Sequence, residues 1–173
     1  MLDRREFMVA LTLGCLGLFA RRALANETWR LTLARPQTNE VAEDVIFWRG
    51  GRPDPQSLAL LDWLLRDVRA GAVTSIDLRL YLGLSLLQSA FGGRLIVVTS
   101  GYRTYHTNHQ LRQQGFDVAR NSYHLVGRAV DLRVDNVPIA RVAGLAERLG
   151  VGGVGRYSRF VHLDTGPRRQ WAG

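Results

Sequence analysis

From Thr28 to Ala34 apolar and polar positions alternate, with Trp29, Leu31 and Leu33 set against Thr28, Arg30 and Thr32. That is the period of a strand with one buried face. Val41 to Trp48 predicts a second strand after the turn-forming stretch Pro36 to Asn39, and the two together predict a hairpin. Behind Pro53-Asp54-Pro55, residues Leu58, Leu61, Leu64, Leu65 and Val68 recur at helical spacing. A helix of about four turns is expected there, ending near Gly71. Asp77 is a suitable N-cap for a second helix over Leu78 to Phe91, stopped by Gly92-Gly93. Its leucines and Tyr81 are too frequent for an exposed helix.

In the second half, the short run Leu95-Ile96-Val97-Val98 predicts a buried strand within 94–99, and Ser100-Gly101-Tyr102-Arg103 leaves it as a loop. Thr107 to Gln114 reads as a short polar helix, Arg128 to Val134 as a strand, and Pro138 to Leu149 as a helix with proline near its first turn. Gly152-Gly153-x-Gly155 has no following phosphate-binding lysine and is expected to be a turn. Phe160 to Asp164 is the last predicted strand. The fold class is α+β, two longer helices packed near an antiparallel sheet built largely from the second half.

The first 25 residues have a different character. A charged start, Asp3-Arg4-Arg5-Glu6, precedes an apolar stretch from Phe7 to Ala20, and Ala23-Leu24-Ala25 supplies the small residues a signal peptidase reads. The expected division is a signal peptide at 1–25, cleaved after Ala25, and one domain at 26–173. Arg4-Arg5 resembles a twin-arginine signal, with an ordinary Sec signal as the alternative; either predicts a periplasmic protein. Cys15 is the only cysteine and lies in the apolar stretch. A processed chain therefore has neither disulfide nor thiolate, and any metal must be held by histidine and carboxylate.

Composition narrows the classes further. Hydrophobic content of 46% with 22% charged residues suits a chain with a packed core. No apolar run reaches the roughly 18 residues of a membrane span. All 23 basic residues are arginine and the formal charge is +8. They are scattered, without stacked aromatics or a helix-turn-helix pattern, so no nucleic-acid partner is expected, while an anionic polymer is compatible.

The candidate chemistry lies in three segments. His124 and Asp131 are separated by six residues, and His162 follows about thirty residues later. Two imidazoles and a carboxylate suit Zn²⁺ and leave a fourth position open for water. Asp131 sits in the apolar strand Ala129-Val130-Asp131-Leu132, where an unpaired charge would be costly. In Phe160-Val161-His162-Leu163-Asp164 the strand period puts His162 and Asp164 on one face; simple pairing of the two on a solvated face is the competing reading. His106 and His109 lack an acidic companion nearby and are expected at the surface.

Ser100-Gly101-Tyr102-Arg103, Ser122-x-His124-x6-Asp131 and Val161-His162-Leu163-Asp164-Thr165-Gly166 together resemble the D-alanyl-D-alanine metallopeptidases (family M15), which include hedgehog-like domains, and within them the murein endopeptidase K branch. The resemblance covers roughly residues 28 to 171. It implies a hedgehog or D-Ala-D-Ala-peptidase-like fold with one Zn²⁺ per chain on His124, Asp131 and His162. It also implies peptide stems of peptidoglycan as partner, and hydrolysis of a cross-link at diaminopimelate; a monomer is expected. A D,D-carboxypeptidase and a non-catalytic peptidoglycan-binding module are the alternatives. Arg103 would stabilise an oxyanion or clamp a substrate carboxylate, and Ser122 would bind substrate. Several relatives carry a carboxylate three residues before the last histidine, where this chain has Arg159. Asp164 is therefore the candidate general base, with orientation of a ligand imidazole as its rival role.

Overall fold

The computed structural model describes residues 27–116 and 118–173. The expected signal peptide, its cleavage point after Ala25 and Cys15 lie outside the described residues. No helix among the described residues is long and apolar enough to cross a membrane.

The alternation at the start of the chain produces strand β1, Thr28–Arg35, which buries Trp29, Leu31, Leu33 and Arg35 on one face. It pairs antiparallel with β2, Glu40–Arg49, bringing Arg35 opposite Glu40 across the turn. A two-residue strand β3, Arg52–Pro53, folds back on β2. Helix α1, Pro55–Leu64, starts where the Asp54 side chain accepts from the Gln56 amide, with proline at its first turn.

This helix is shorter than the leucine spacing predicts. The buried Arg35 guanidinium donates to the carbonyls of Leu64 and Arg66 at 2.7 and 2.6 Å, satisfying acceptors that a further turn would otherwise have paired. Asp67 and Ala72 then close a small backbone bridge. Helix α2, Leu78–Ala90, is capped by Asp77 as expected and is buried over most of its circumference. Its Gln88 exchanges hydrogen bonds with the Thr32 amide and carbonyl, so a side chain supplies a rung of pairing along β1.

The second half supplies β4 (Ile96–Ser100), α3 (Tyr105–Gln113), a 3-10 turn (Tyr123–Val126), β5 (Ala129–Val134), α4 (Ile139–Leu149), β6 (Gly153–Arg156), β7 (Val161–Asp164) and β8 (Arg169–Ala172). The eight strands among the described residues form one sheet in the order β3-β2-β1-β4-β5-β7-β6-β8.

The expected antiparallel sheet is corrected to a mixed one, because β1 runs parallel to β4 and β6 parallel to β8. A parallel neighbour needs a long connection, and β2, β3, α1 and α2 provide it between β1 and β4. The glycine-rich stretch expected as a turn is in part strand β6. Gly152 and Gly153 are buried against Asp164, and glycines pack where the chain passes close to other groups.

Candidate metal centre

The sheet register assembles the site. Reading across β4, β5, β7, β6 and β8, the paired residues are Ser100, Asp131, His162, Gly155 and Trp171. Directly paired residues on adjacent strands share a face, so Asp131 and His162 meet side by side although 31 positions apart. Gly155 has no side chain to fill its place in the row, and the Trp171 ring lies where a Cβ would stand. The indole thereby reaches His162, with ring centroids 5.2 Å apart.

His124 arrives from the 3-10 turn, whose N-cap is the Ser122 hydroxyl accepting from the His124 amide at 3.3 Å. The imidazole is buried, and its Nδ1 lies 2.6 Å from the Gly101 carbonyl. A carbonyl can only accept, so Nδ1 carries the proton and Nε2 presents its lone pair. That Nε2 is 3.2 Å from both Asp131 Oδ1 and His162 Nδ1, and the last two atoms are 2.9 Å apart.

His162 is oriented in the opposite sense. Its Nε2 donates to Asp164 Oδ2 at 3.1 Å, which leaves Nδ1 for the cluster. Four ligands at about 2.05 Å in tetrahedral array stand about 3.3 Å from one another. The triangle of His124 Nε2, Asp131 Oδ1 and His162 Nδ1 is close to that size, so these three side chains could hold a metal ion.

The surrounding groups fix these three side chains. The second Asp131 oxygen accepts from Arg103 Nη2, and Arg103 Nε donates to the Ser100 hydroxyl at 2.9 Å. Asp164 is fully buried and accepts from the amides of Gly153 and Gly166 and from both terminal nitrogens of Arg169.

Burial works against the Asp131 charge, but His124, His162 and Arg103 outweigh it and hold the carboxyl far below the usual carboxylate range. Burial pushes His124 down. It also opposes a charge on His162, yet Asp131 and Asp164 prevail and push that imidazole up. For Asp164, burial is overcome by His162, Arg169 and the two amides, which lower it to about 2.

His124, Asp131, His162, Asp164 and Arg103 therefore come together in one cluster. The Ser122 hydroxyl is engaged in capping. His106 and His109 are exposed, and so is Arg159, which lines a separate groove with Arg133, Asn136 and Pro138. Sequence reasoning did not find the Gly101 carbonyl, Arg169, or the packing of Trp171 on His162. The period-two spacing of Arg169 and Trp171 was the only available signal for the last two.

Gly101 is constrained by its neighbours as well as by His124. A Cβ there would collide with the backbone of Leu65, whose carbonyl accepts from the Tyr102 amide at 2.7 Å. Gly101→Ala is expected to cost about 1–3 kcal/mol. The thermal midpoint should fall by roughly 3–10 °C. Differential scanning calorimetry checks this, and an unchanged midpoint would mean that the loop absorbs the methyl.

A buried carboxylate and two imidazoles, each ring turned by an outer acceptor, form a group that could hold a metal ion, the donor set of a metal-dependent hydrolase. The family described as peptidoglycan L,D-endopeptidase MepK, in peptidase group M15, matches residues 23–171, and the chain belongs to it. The chain is 44% identical over 123 residues to the probable peptidoglycan L,D-endopeptidase MepK of Haemophilus influenzae, covering 69% of this chain and 66% of that protein. It is 39% identical over 144 residues to peptidoglycan L,D-endopeptidase MepK of Escherichia coli, covering 82% and 79%. No solved structure matches the chain.

Proposed function

We propose that this chain is a zinc-dependent peptidoglycan endopeptidase that cuts a cross-link at a diaminopimelate residue after export to the periplasm. The observation that carries the reading is the ligand triangle with both outer imidazole nitrogens held by acceptors. A binding module has less support, because a structural zinc site normally closes with a fourth protein ligand, and the metal-competent group here has three residues.

Zinc held by His124, Asp131 and His162 would supply Lewis acidity to the scissile carbonyl and to the attacking water. Arg103 fixes the Asp131 carboxylate and keeps Nη1 without a partner among the described residues, leaving a charged donor for a substrate group near the cluster. Asp164 acts through His162 in this reading. Its oxygens are occupied by buried donors, and it contacts the imidazole nitrogen on the side away from the triangle, which favours orientation over proton transfer.

The test uses protein loaded with one equivalent of zinc and a purified cross-linked muropeptide dimer, with products followed by mass spectrometry. Cleavage to monomers is expected, with loss on chelation and recovery on zinc addition. Release of terminal D-Ala from a pentapeptide instead would establish the carboxypeptidase alternative, and no turnover on either would remove the hydrolytic reading.

Zinc uptake should also depend on pH. His162 holds its proton to higher pH than a free imidazole, and metal must displace a proton from any protonated ligand. Occupancy is thus favoured above the raised His162 value and is lost as pH falls below it, by about tenfold in apparent affinity per pH unit for each displaced proton. Competition titrations with a chromogenic chelator across pH 5 to 8 measure this slope.

A further inference from the structure

Beside the ligand triangle, on the side of Arg103, lies a cavity of about 220 Å³ lined by Arg35, Gln37, Asp67, Arg69, Ser100 and Arg103 among others. Three arginines against one aspartate make its lining cationic. Asp67 offsets one of the three charges, and its oxygens are already taken: it accepts from the Thr104 amide and hydroxyl and from the amides of Arg69 and Ala70.

The three arginines differ in how they are held. Arg35 is 3% exposed, and its Nε is buried with no hydrogen-bond partner. Burial, and then the neighbouring Arg66, lower its pKa to about 10, so it remains charged at neutral pH. Arg103 retains an unpartnered Nη1. Arg69 is exposed, and its guanidinium makes no hydrogen bond or ion pair among the described residues, although its backbone amide is fixed by Asp67. A buried polar atom without a partner, such as Arg35 Nε, is uncommon in folded proteins, and arginines lining one cavity suit the planar, two-oxygen geometry of a carboxylate.

We propose that this cavity is the subsite for a free carboxylate of the peptide stem, received by Arg69 and Arg103 over the fixed charge of Arg35, so that Arg69 is a specificity-determining residue. The inference rests on the peptidoglycan reading given above. The carboxylate has two possible sources, a diaminopimelate centre near the cleaved bond or the terminus of the stem. Arg103 ties the cavity to the metal ligand Asp131, so the group it receives lies within about one residue of the scissile carbonyl.

The test combines three cross-linked dimers with two variants of the zinc-loaded full chain. One dimer has all carboxylates free, one has its diaminopimelate carboxylates amidated, and one has only its stem termini amidated. Arg69→Gln should raise KM about tenfold on the free dimer with little change in kcat, as loss of one charge-assisted contact does. The wild type should show the same increase on one of the amidated dimers, which identifies the source, and Arg69→Gln should add nothing further on that dimer. Arg94→Gln, removing an exposed arginine before the far end of β4, should leave KM unchanged on all three. An equal KM rise from Arg69→Gln on every dimer, or none on any, would overturn the proposal. Calorimetric binding of the same dimers to metal-free protein separates this from the hydrolytic reading. If the zinc-loaded wild type cleaves nothing yet binds the free dimer about tenfold more tightly than an amidated one, and Arg69→Gln does not, the hydrolytic reading fails while the subsite stands.

Discussion

His162→Ala is expected to leave less than about a tenth of an equivalent of zinc on the protein and to reduce hydrolysis to the metal-free background. His162 Nδ1 is one corner of the ligand triangle, and without it only His124 Nε2 and Asp131 Oδ1 remain, two donors where a catalytic zinc site uses three. The substitution also removes a partner from Asp164 and the surface on which Trp171 packs. Elemental analysis after zinc supplementation, with circular dichroism to establish folding, separates loss of the metal from loss of the fold. A folded variant with full zinc occupancy would remove His162 from the ligand set.

Asp164→Asn is expected to weaken zinc binding by about 10- to 100-fold, the usual effect of losing an outer carboxylate partner, with turnover partly restored at high zinc. The reason lies in the protons. Asp164 Oδ1 accepts from two backbone amides and Arg169, while Oδ2 accepts from His162 Nε2 and Arg169. An asparagine that keeps its oxygen toward the amides turns its NH2 toward His162 Nε2. The imidazole then avoids facing two donors by moving its proton to Nδ1, the nitrogen the metal needs. The converse placement breaks the contacts to the amides instead. Zinc affinity measured by chelator competition, alongside kcat at saturating zinc, decides the role. Wild-type affinity with a large loss of kcat would return Asp164 to the role of general base.

Much of the candidate cluster was legible because its signals are local. The six-residue spacing of His124 and Asp131, an aspartate inside an apolar strand, and His162 two positions before Asp164 are visible within short windows of chain. So were the Asp77 cap and the alternation of β1. The helix predicted to reach Gly71 failed on a distant cause, since Arg35, some thirty residues earlier in the chain, takes the carbonyls at its end. Strands β3, β6 and β8 are two to four residues long. Such segments carry too little periodicity to be distinguished from turns, and they become strands only through pairing with neighbours.

The sequence by itself determined the residue types available for a metal, the α+β class and the family. All of these depend on composition, period or ordered motifs. The tertiary structure alone decided which nitrogen of each histidine faces the metal site, because that depends on the Gly101 carbonyl and the Asp164 carboxylate approaching from other segments. It also decided that Asp131 stands opposite His162, that Gly155 leaves room for Trp171, and that Arg35, Arg69 and Arg103 surround one cavity. Strand register and the close approach of distant segments are set by how the whole core packs, and packing leaves no mark in any single stretch of chain.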